Sequence, residues 1–117
     1  MTATLCLRLA AVSGFLTVAL GAFGAHGLRA ILDQYDTAAI WDTAVFYHMA
    51  HTLALLFLAS RPHVNTAAVV CFLVGICLFS GSLYIMAVTN LRWLGAITPV
   101  GGIGFLLGWG LLFFQQP

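Results

Sequence analysis

Long apolar runs, broken by very few charges, constrain this chain more than any other feature. Its 117 residues include four Arg and three Asp, with neither Lys nor Glu, and 62% of the residues are hydrophobic. A soluble domain is about 45–50% apolar and about 25% charged, so the composition excludes a soluble enzyme and a disordered tail. The net charge of +1 offers no basic surface to phosphates, which excludes a nucleic-acid binder. The sequence predicts an integral membrane protein whose first partner is the lipid bilayer.

Four apolar stretches are long enough to span a bilayer, which takes about 20 residues in a helix. We place these spans at residues 6–26, 37–59, 66–89 and 93–114. The sequence therefore predicts one all-α transmembrane domain over residues 1–117, a bundle of four helices with short loops. Leu28, Ile31 and Leu32 recur at helical spacing and predict a short interfacial helix between the first two spans.

Four spans would put both termini on the same side of the membrane. Arg8 and Arg61 would lie on that side, and Arg29 and Arg92 on the other. Each side carries two arginines, and the amino terminus adds one positive charge to the side of the termini. The positive-inside rule therefore favours termini in the cytoplasm. We therefore expect a multi-pass protein with both termini in the cytoplasm.

Small residues predict close helix packing, because they let another backbone approach in lipid. The positions are Gly14, Gly21 and Gly24 in the first span and Gly101, Gly104 and Gly108 in the last. Such faces serve either packing within one chain or dimerisation, so a homo-oligomer or a membrane-protein partner stays open. Pro99 predicts a break, since proline removes a backbone donor. Either it kinks the fourth helix, or Thr98 caps a fresh helix with Pro99 at its first position.

Few polar groups lie deep in the predicted spans. At a rise of about 1.5 Å per residue, His48 lies about 10 Å and His51 about 15 Å from Trp41, which we place at the membrane interface. Their spacing of three residues turns both imidazoles to roughly the same side of the helix. Ionisable groups are costly inside a bilayer and are therefore candidates for function.

The polar residues inside the predicted spans have three interpretations. In the first, His51 forms a structural hydrogen bond with a neighbouring helix, and Ser80, Ser82 and Tyr84 are the natural partners. In the second, a polar crevice binds a small ligand or an ion. The candidate crevice residues are His26, Asp42, His48, His51, Ser80, Ser82, Tyr84 and Thr98. In the third, His48 and His51 ligate a metal or a haem.

The metal interpretation has the least support in the sequence. A structural zinc site takes four ligands, and His26 would lie about 10–15 Å from His51 along the membrane normal. Moreover, no nucleophile–base pair and no phosphate-binding loop has the required spacing. We therefore predict no catalytic residue, no cofactor and no resident metal.

Four motifs, in order along the chain, carry a family resemblance. They are the segments 21–27, 47–56, 78–84 and 97–102, followed by Gly108-Trp109. Together they resemble the YgdD-like family of small membrane proteins (domain of unknown function 423) of bacterial inner membranes and, in related forms, mitochondria. The resemblance covers essentially the whole chain and implies a four-helix inner-membrane protein, but no activity. His26 and His51 match the family pattern, whereas His48 stands where that pattern often has Gln.

The sequence thus predicts a small inner-membrane protein with a structural or accessory role. One alternative is a module that binds or transports a small ligand or ion at the crevice around His51. The other is a protein that binds haem or a metal through its histidines.

Overall fold

The computed structural model describes residues 1–116, and within them it contains helices and no strand. This confirms the all-α class. The α-helices are α1 (Ala3–Ala25), α2 (Arg29–Tyr35), α3 (Ala38–Ala59), α4 (Thr66–Gly75), α5 (Gly81–Thr89) and α6 (Thr98–Phe113). A π-helical segment, Ile76–Ser80, joins α4 to α5 without a loop, and a 3-10 turn, Arg92–Ala96, leads into α6.

Local chemistry sets where these helices begin and end. The hydroxyl of Thr2 accepts from the Leu5 amide at 3.1 Å, and the Asn65 side chain accepts from the Ala68 amide at 3.0 Å, so both cap a free helix start. Asp36 and Asn90 adopt left-handed φ angles of 53° and 58°, which end α2 and α5.

Pro99 lies in the first turn of α6, where a missing backbone donor has no helical partner to lose. The fourth segment is therefore a 3-10 turn followed by a fresh α-helix, not one kinked helix. Ile97 rather than Thr98 occupies the capping position, and it offers no side-chain cap.

Hydrogen bonds between distant residues identify the two ends of the bundle. At the first end, the amino group of Met1 donates to Thr66 at 3.1 Å, and Asn65 donates to Gln115 at 3.1 Å. At the second end, Arg92 donates to the Tyr35 carbonyl at 3.2 Å. The start of α1, the start of α4 and the end of α6 thus meet at the first end, and successive long elements run in opposite directions.

Helix α3 is the central element of the fold. It packs against α1 on one side and against α4, the π-helical segment and α5 on the other, while α6 covers α4 and the π-helical segment. The bundle is flattened, with extents of 48 × 26 × 16 Å. Its outer surface is apolar: Phe15, Leu106 and Phe113 are 74%, 72% and 82% exposed. A surface of this kind suits lipid rather than water.

Glycines allow the closest helix contacts. A Cβ at Gly101 would overlap the backbone of Phe79 and lie 2.7 Å from the Leu78 carbonyl carbon, so α6 meets the π-helical segment backbone to backbone. The other predicted packing glycines also face neighbours in the same chain. Their nearest neighbours are Thr52 for Gly14, Val45 for Gly21, Trp41 for Gly24, Cys71 for Gly104 and Phe72 for Gly108.

Among the described residues, three helical stretches are long and apolar enough to cross a membrane. They are Ala3–Ala25, Thr66–Thr89 and Arg92–Phe113, with 23, 24 and 22 residues. Helix α3 also has 22 residues but carries Asp42, His48 and His51, which lower its mean hydropathy. The predicted count of four spans therefore exceeds the three that length and composition support.

Gly101→Ala should destabilise the bundle by about 1–3 kcal/mol, because the new methyl group meets backbone that cannot move aside. The measurement is the free energy of unfolding in detergent, followed by circular dichroism. Gly110→Ala is the matched control, since a Cβ there has no neighbour within 4 Å and alanine favours the helix. Equal stabilities for the two variants would contradict the close approach of α6.

Candidate functional site

The two histidines of α3 are buried, at 4% and 5% exposure, and they bond to different neighbours. His48 bonds to α1 and α5, whereas His51 bonds to α6 and to its own helix. The polar residues of α3 therefore form two separate hydrogen-bonded groups, which we call the His48 cluster and the His51 cluster.

The His48 cluster joins three helices. The Nδ1 atom of His48 lies 2.9 Å from the Tyr84 hydroxyl, and its Nε2 lies 3.0 Å from the Ser13 hydroxyl. Ser13 lies 2.6 Å from the Thr52 hydroxyl, which donates to the His48 carbonyl at 2.8 Å. One imidazole thus links α1, α3 and α5.

The proton positions in this cluster follow from the donors available. Thr52 uses its one hydroxyl proton on the His48 carbonyl, so it accepts from Ser13. Ser13 has then used its own proton and accepts from the Nε2–H of His48. In the neutral ring, Nδ1 carries the lone pair and accepts from the Tyr84 hydroxyl.

The His51 cluster fixes the opposite tautomer. The Nδ1 of His51 lies 2.8 Å from the Tyr47 carbonyl, which only accepts, so Nδ1 carries the proton. The indole N–H of Trp109 only donates and reaches Nε2 at 3.0 Å. A protonated ring would bring two donors together at Nε2, so this geometry requires neutral His51. The ring also stacks on Phe105, with centroids 3.6 Å apart.

The expected partners of His51 were wrong. Tyr84 bonds to His48 instead, Ser80 donates to the Ala44 carbonyl at 2.8 Å, and Ser82 lies 2.7 Å from the Thr98 hydroxyl. The rotation of α3 explains the difference, since residues three apart on a helix point about 60° apart. His51 therefore faces α6 and not α5.

The structure distributes the candidate crevice residues over several places. His26 is exposed at the carboxyl end of α1, and Asp42 is exposed on α3. Neither hydrogen-bonds to the two clusters. Within residues 1–116, no buried side-chain nitrogen or oxygen lacks a hydrogen-bond partner, so the interior polarity is divided among short, satisfied contacts.

The hydrogen bonds of the two clusters use the histidine lone pairs that would bind a metal. The lone pair of His51 accepts from Trp109, and the lone pair of neutral His48 accepts from Tyr84. In the part of the chain that the structure describes, no three His, Cys, Asp or Glu side chains come together as metal ligands do. The two imidazoles could therefore hold a metal only after both clusters broke.

Sequence reasoning missed Ser13 and Trp109 as partners of the histidines. Ser13 lies on the small-residue stripe of α1, and its neighbour on that face, Thr17, bonds back to the Ser13 carbonyl at 2.8 Å. A hydroxyl on a helix-packing face was the available signal, because interhelical hydrogen bonds in membranes commonly use Ser and Thr. Trp109 was singled out only as part of a family motif, which does not indicate its partner.

Comparisons with known proteins agree with the apolar character of the chain. Residues 20–102 match the family described as "Protein of unknown function (DUF423)". The chain belongs to this family. It is 50% identical over 109 residues to the UPF0382 membrane protein YwdK of Bacillus subtilis, with 86% of each chain covered.

Two further relatives extend the match over nearly the whole chain. The UPF0382 membrane protein SH2409 of Staphylococcus haemolyticus is 45% identical, with 95% of this chain and 93% of the relative covered. The UPF0382 inner membrane protein YgdD of Escherichia coli is 43% identical, with 96% and 88% covered. No solved structure matches significantly. This DUF423 member is thus a small membrane protein.

His48→Gln should preserve stability, because a glutamine amide can donate to Ser13 and accept from Tyr84 much as the imidazole does. His48→Leu should cost about 1–4 kcal/mol, since it removes two interhelical hydrogen bonds of about 0.6–2 kcal/mol each. Both variants are compared with the native chain by unfolding in detergent. A leucine variant as stable as the glutamine variant would show that the cluster contributes nothing.

The two buried histidines should have opposite tautomers at neutral pH. Ring-nitrogen NMR of the labelled protein in detergent should show the proton on Nε2 of His48 and on Nδ1 of His51. Trp109→Phe should change the Nε2 signal of His51 and leave that of His48 unchanged. Identical tautomers in the native chain would contradict the proton assignment.

Proposed function

We propose that this protein is a structural or accessory membrane protein whose buried polar residues hold its own bundle together. The complete hydrogen bonding of the interior carries this proposal. Interior groups that act on a transported ion or a substrate need free donors or acceptors, and both histidine clusters use theirs within the chain. We assign no catalytic residue and no cofactor.

We further propose that the single domain, residues 1–117, crosses the membrane four times. Helices α1 and α6 and the continuous stretch Thr66–Thr89 have the length and composition of spans. Helix α3 connects the second end of the bundle to the first, because it begins beside α2 and ends before α4. It must therefore cross the same thickness, and its two histidines are shielded from lipid by its neighbours.

The charges support an orientation with both termini in the cytoplasm. Arg8 and Arg61 lie in segments near the first end of the bundle, together with the amino terminus. Near the second end, Arg29 pairs with Asp33 at 3.2 Å, and Arg92 bonds to Asn90 and the Tyr35 carbonyl. The arginines are equal in number at the two ends, so the amino group of Met1 gives the first end the greater positive charge, and the positive-inside rule places that side in the cytoplasm. Helix α2 would lie at the opposite surface.

This orientation fits the inner membrane, which the printed name of the Escherichia coli relative also gives. The apolar outer surfaces of α1 and α6 would face lipid or an accessory partner. Since the predicted packing glycines are used inside the chain, a partner would have to contact larger side chains.

The topology is tested by reporter fusions at the amino terminus, at the carboxyl terminus and in the segment between α1 and α3. Both termini should report the cytoplasm, and the segment should report the opposite compartment. Termini on opposite sides would mean that α3 does not cross the membrane, and the four-span proposal would fail.

The structural role is tested by a matched pair of serines. Ser80→Ala should lower the unfolding free energy by about 0.6–2 kcal/mol. The buried Ser80 hydroxyl, at the end of the π-helical segment, donates to the Ala44 carbonyl of α3, and the variant loses this bond. Ser60→Ala should change it by less than about 0.5 kcal/mol, because the exposed Ser60 bonds only within its own helix end. Equal effects in detergent unfolding would count against the interior serine as a bond between helices.

A further inference from the structure

A groove lies beside the His51 cluster and opens to the lipid-facing surface. Its volume is about 420 Å³, and its walls include Tyr47, Phe79, Pro99, Gly102, Phe105 and Trp109. Tyr47 and Trp109 are 38% and 48% exposed, so the groove is open along its side. Its volume falls in the range of small-ligand sites, about 300–1,000 Å³.

Aromatic rings form most of the groove wall in a fixed arrangement. The ring of Tyr47 lies 4.5 Å from that of Phe79 and is nearly parallel to that of Phe105, with 6.2 Å between centroids. The indole of Trp109 is held by its bond to His51. Flat, rigid walls of this kind suit a flat ring, since aromatic faces attract one another beyond their buried area.

The Tyr47 hydroxyl is the polar feature of the groove that the chain leaves unused. Within residues 1–116 it has no hydrogen-bond partner, whereas the hydroxyl of Tyr84 bonds to His48 and the indole of Trp109 bonds to His51. Tyr47 lies near the middle of α3, where the proposed span puts it in the hydrocarbon layer. A hydroxyl left unbonded there costs several kcal/mol, and lipid tails carry no acceptor.

The two other polar groups beside the groove, the His51 ring and the Trp109 indole, have no free hydrogen-bonding atom for a ligand. His51 has its proton on the Tyr47 carbonyl and its lone pair on Trp109, so it presents only its ring face. A bound molecule that takes the free proton of Tyr47 therefore brings an acceptor, together with a flat ring for the aromatic walls and enough apolar surface to enter from lipid.

We propose that this groove binds the ring of a membrane quinone. One ring carbonyl accepts a hydrogen bond from the Tyr47 hydroxyl, the ring lies against Phe79 and Trp109, and the apolar tail leaves through the open side into lipid. The proposal concerns binding and involves no electron transfer by the chain. It goes beyond the structural role and rests on the proposed crossing of α3, which the reporter fusions test separately.

The test uses the full chain in vesicles of synthetic phosphatidylcholine free of quinone. Decylubiquinone is titrated while tryptophan fluorescence is recorded, because a bound quinone beside Trp109 quenches its emission. Saturable quenching is expected in the native chain. Tyr47→Phe should weaken the apparent Kd about 3- to 30-fold, the effect of one hydrogen bond in a membrane protein. Tyr35→Phe, outside the groove, should leave Kd unchanged.

Two further measurements separate a quinone from other occupants. Gly102→Leu should abolish saturable quenching, because a Cβ there meets only the Phe79 ring, at 3.8 Å, and the longer side chain fills the groove. A decyl-substituted benzene, which has no oxygen, should not compete. Tyr47→Phe should unfold no earlier than the native chain, since it removes only an unbonded hydroxyl, and so it tests binding without loss of fold.

Three results would overturn the proposal. They are the absence of saturable quenching in the native chain, an unchanged Kd in Tyr47→Phe, and competition by decylbenzene equal to that of decylubiquinone. The last result would identify the groove as a site for apolar chains.

Discussion

The absence of water inside a bilayer is the constraint on which this structure depends. A polar side chain that enters the hydrocarbon layer must find its partner within the protein, and the proposed four-span topology puts such side chains on the central helix. Helix α3 meets the requirement in two directions, with His48 bonded to α1 and α5 and His51 bonded to α6. The residues that are most costly to bury are thus the ones that join the helices.

The two histidines differ in the kind of partner that fixes the position of the ring proton. The partners of His48 are hydroxyls, and its ring proton is fixed on Nε2 because Thr52 and Ser13 have already used their own protons. The partners of His51 are a carbonyl and an indole N–H, which cannot exchange roles. His51 therefore forms a fixed side of the groove, and the free hydrogen-bond donor beside it is the hydroxyl of Tyr47.

The sequence predicted the helical class and the positions of the apolar stretches, because both follow from the length and composition of local segments. It did not predict the pairing of His51 with Trp109, which depends on how α3 is rotated between its neighbours. The π-helical segment Ile76–Ser80 also lacked a sequence signal. This segment is a wider turn of the helix. At its end the Ser80 hydroxyl donates to the Ala44 carbonyl of α3, and two residues later the Ser82 hydroxyl contacts that of Thr98.

Buried hydrogen bonds across helices hold the bundle together. A double-mutant cycle of His48→Leu and Tyr84→Phe, with unfolding free energies measured in detergent, tests it most directly, because it isolates the bond between α3 and α5. We expect a coupling energy of about 0.6–2 kcal/mol. Effects that add to within about 0.3–0.5 kcal/mol, as for independent sites, would contradict it.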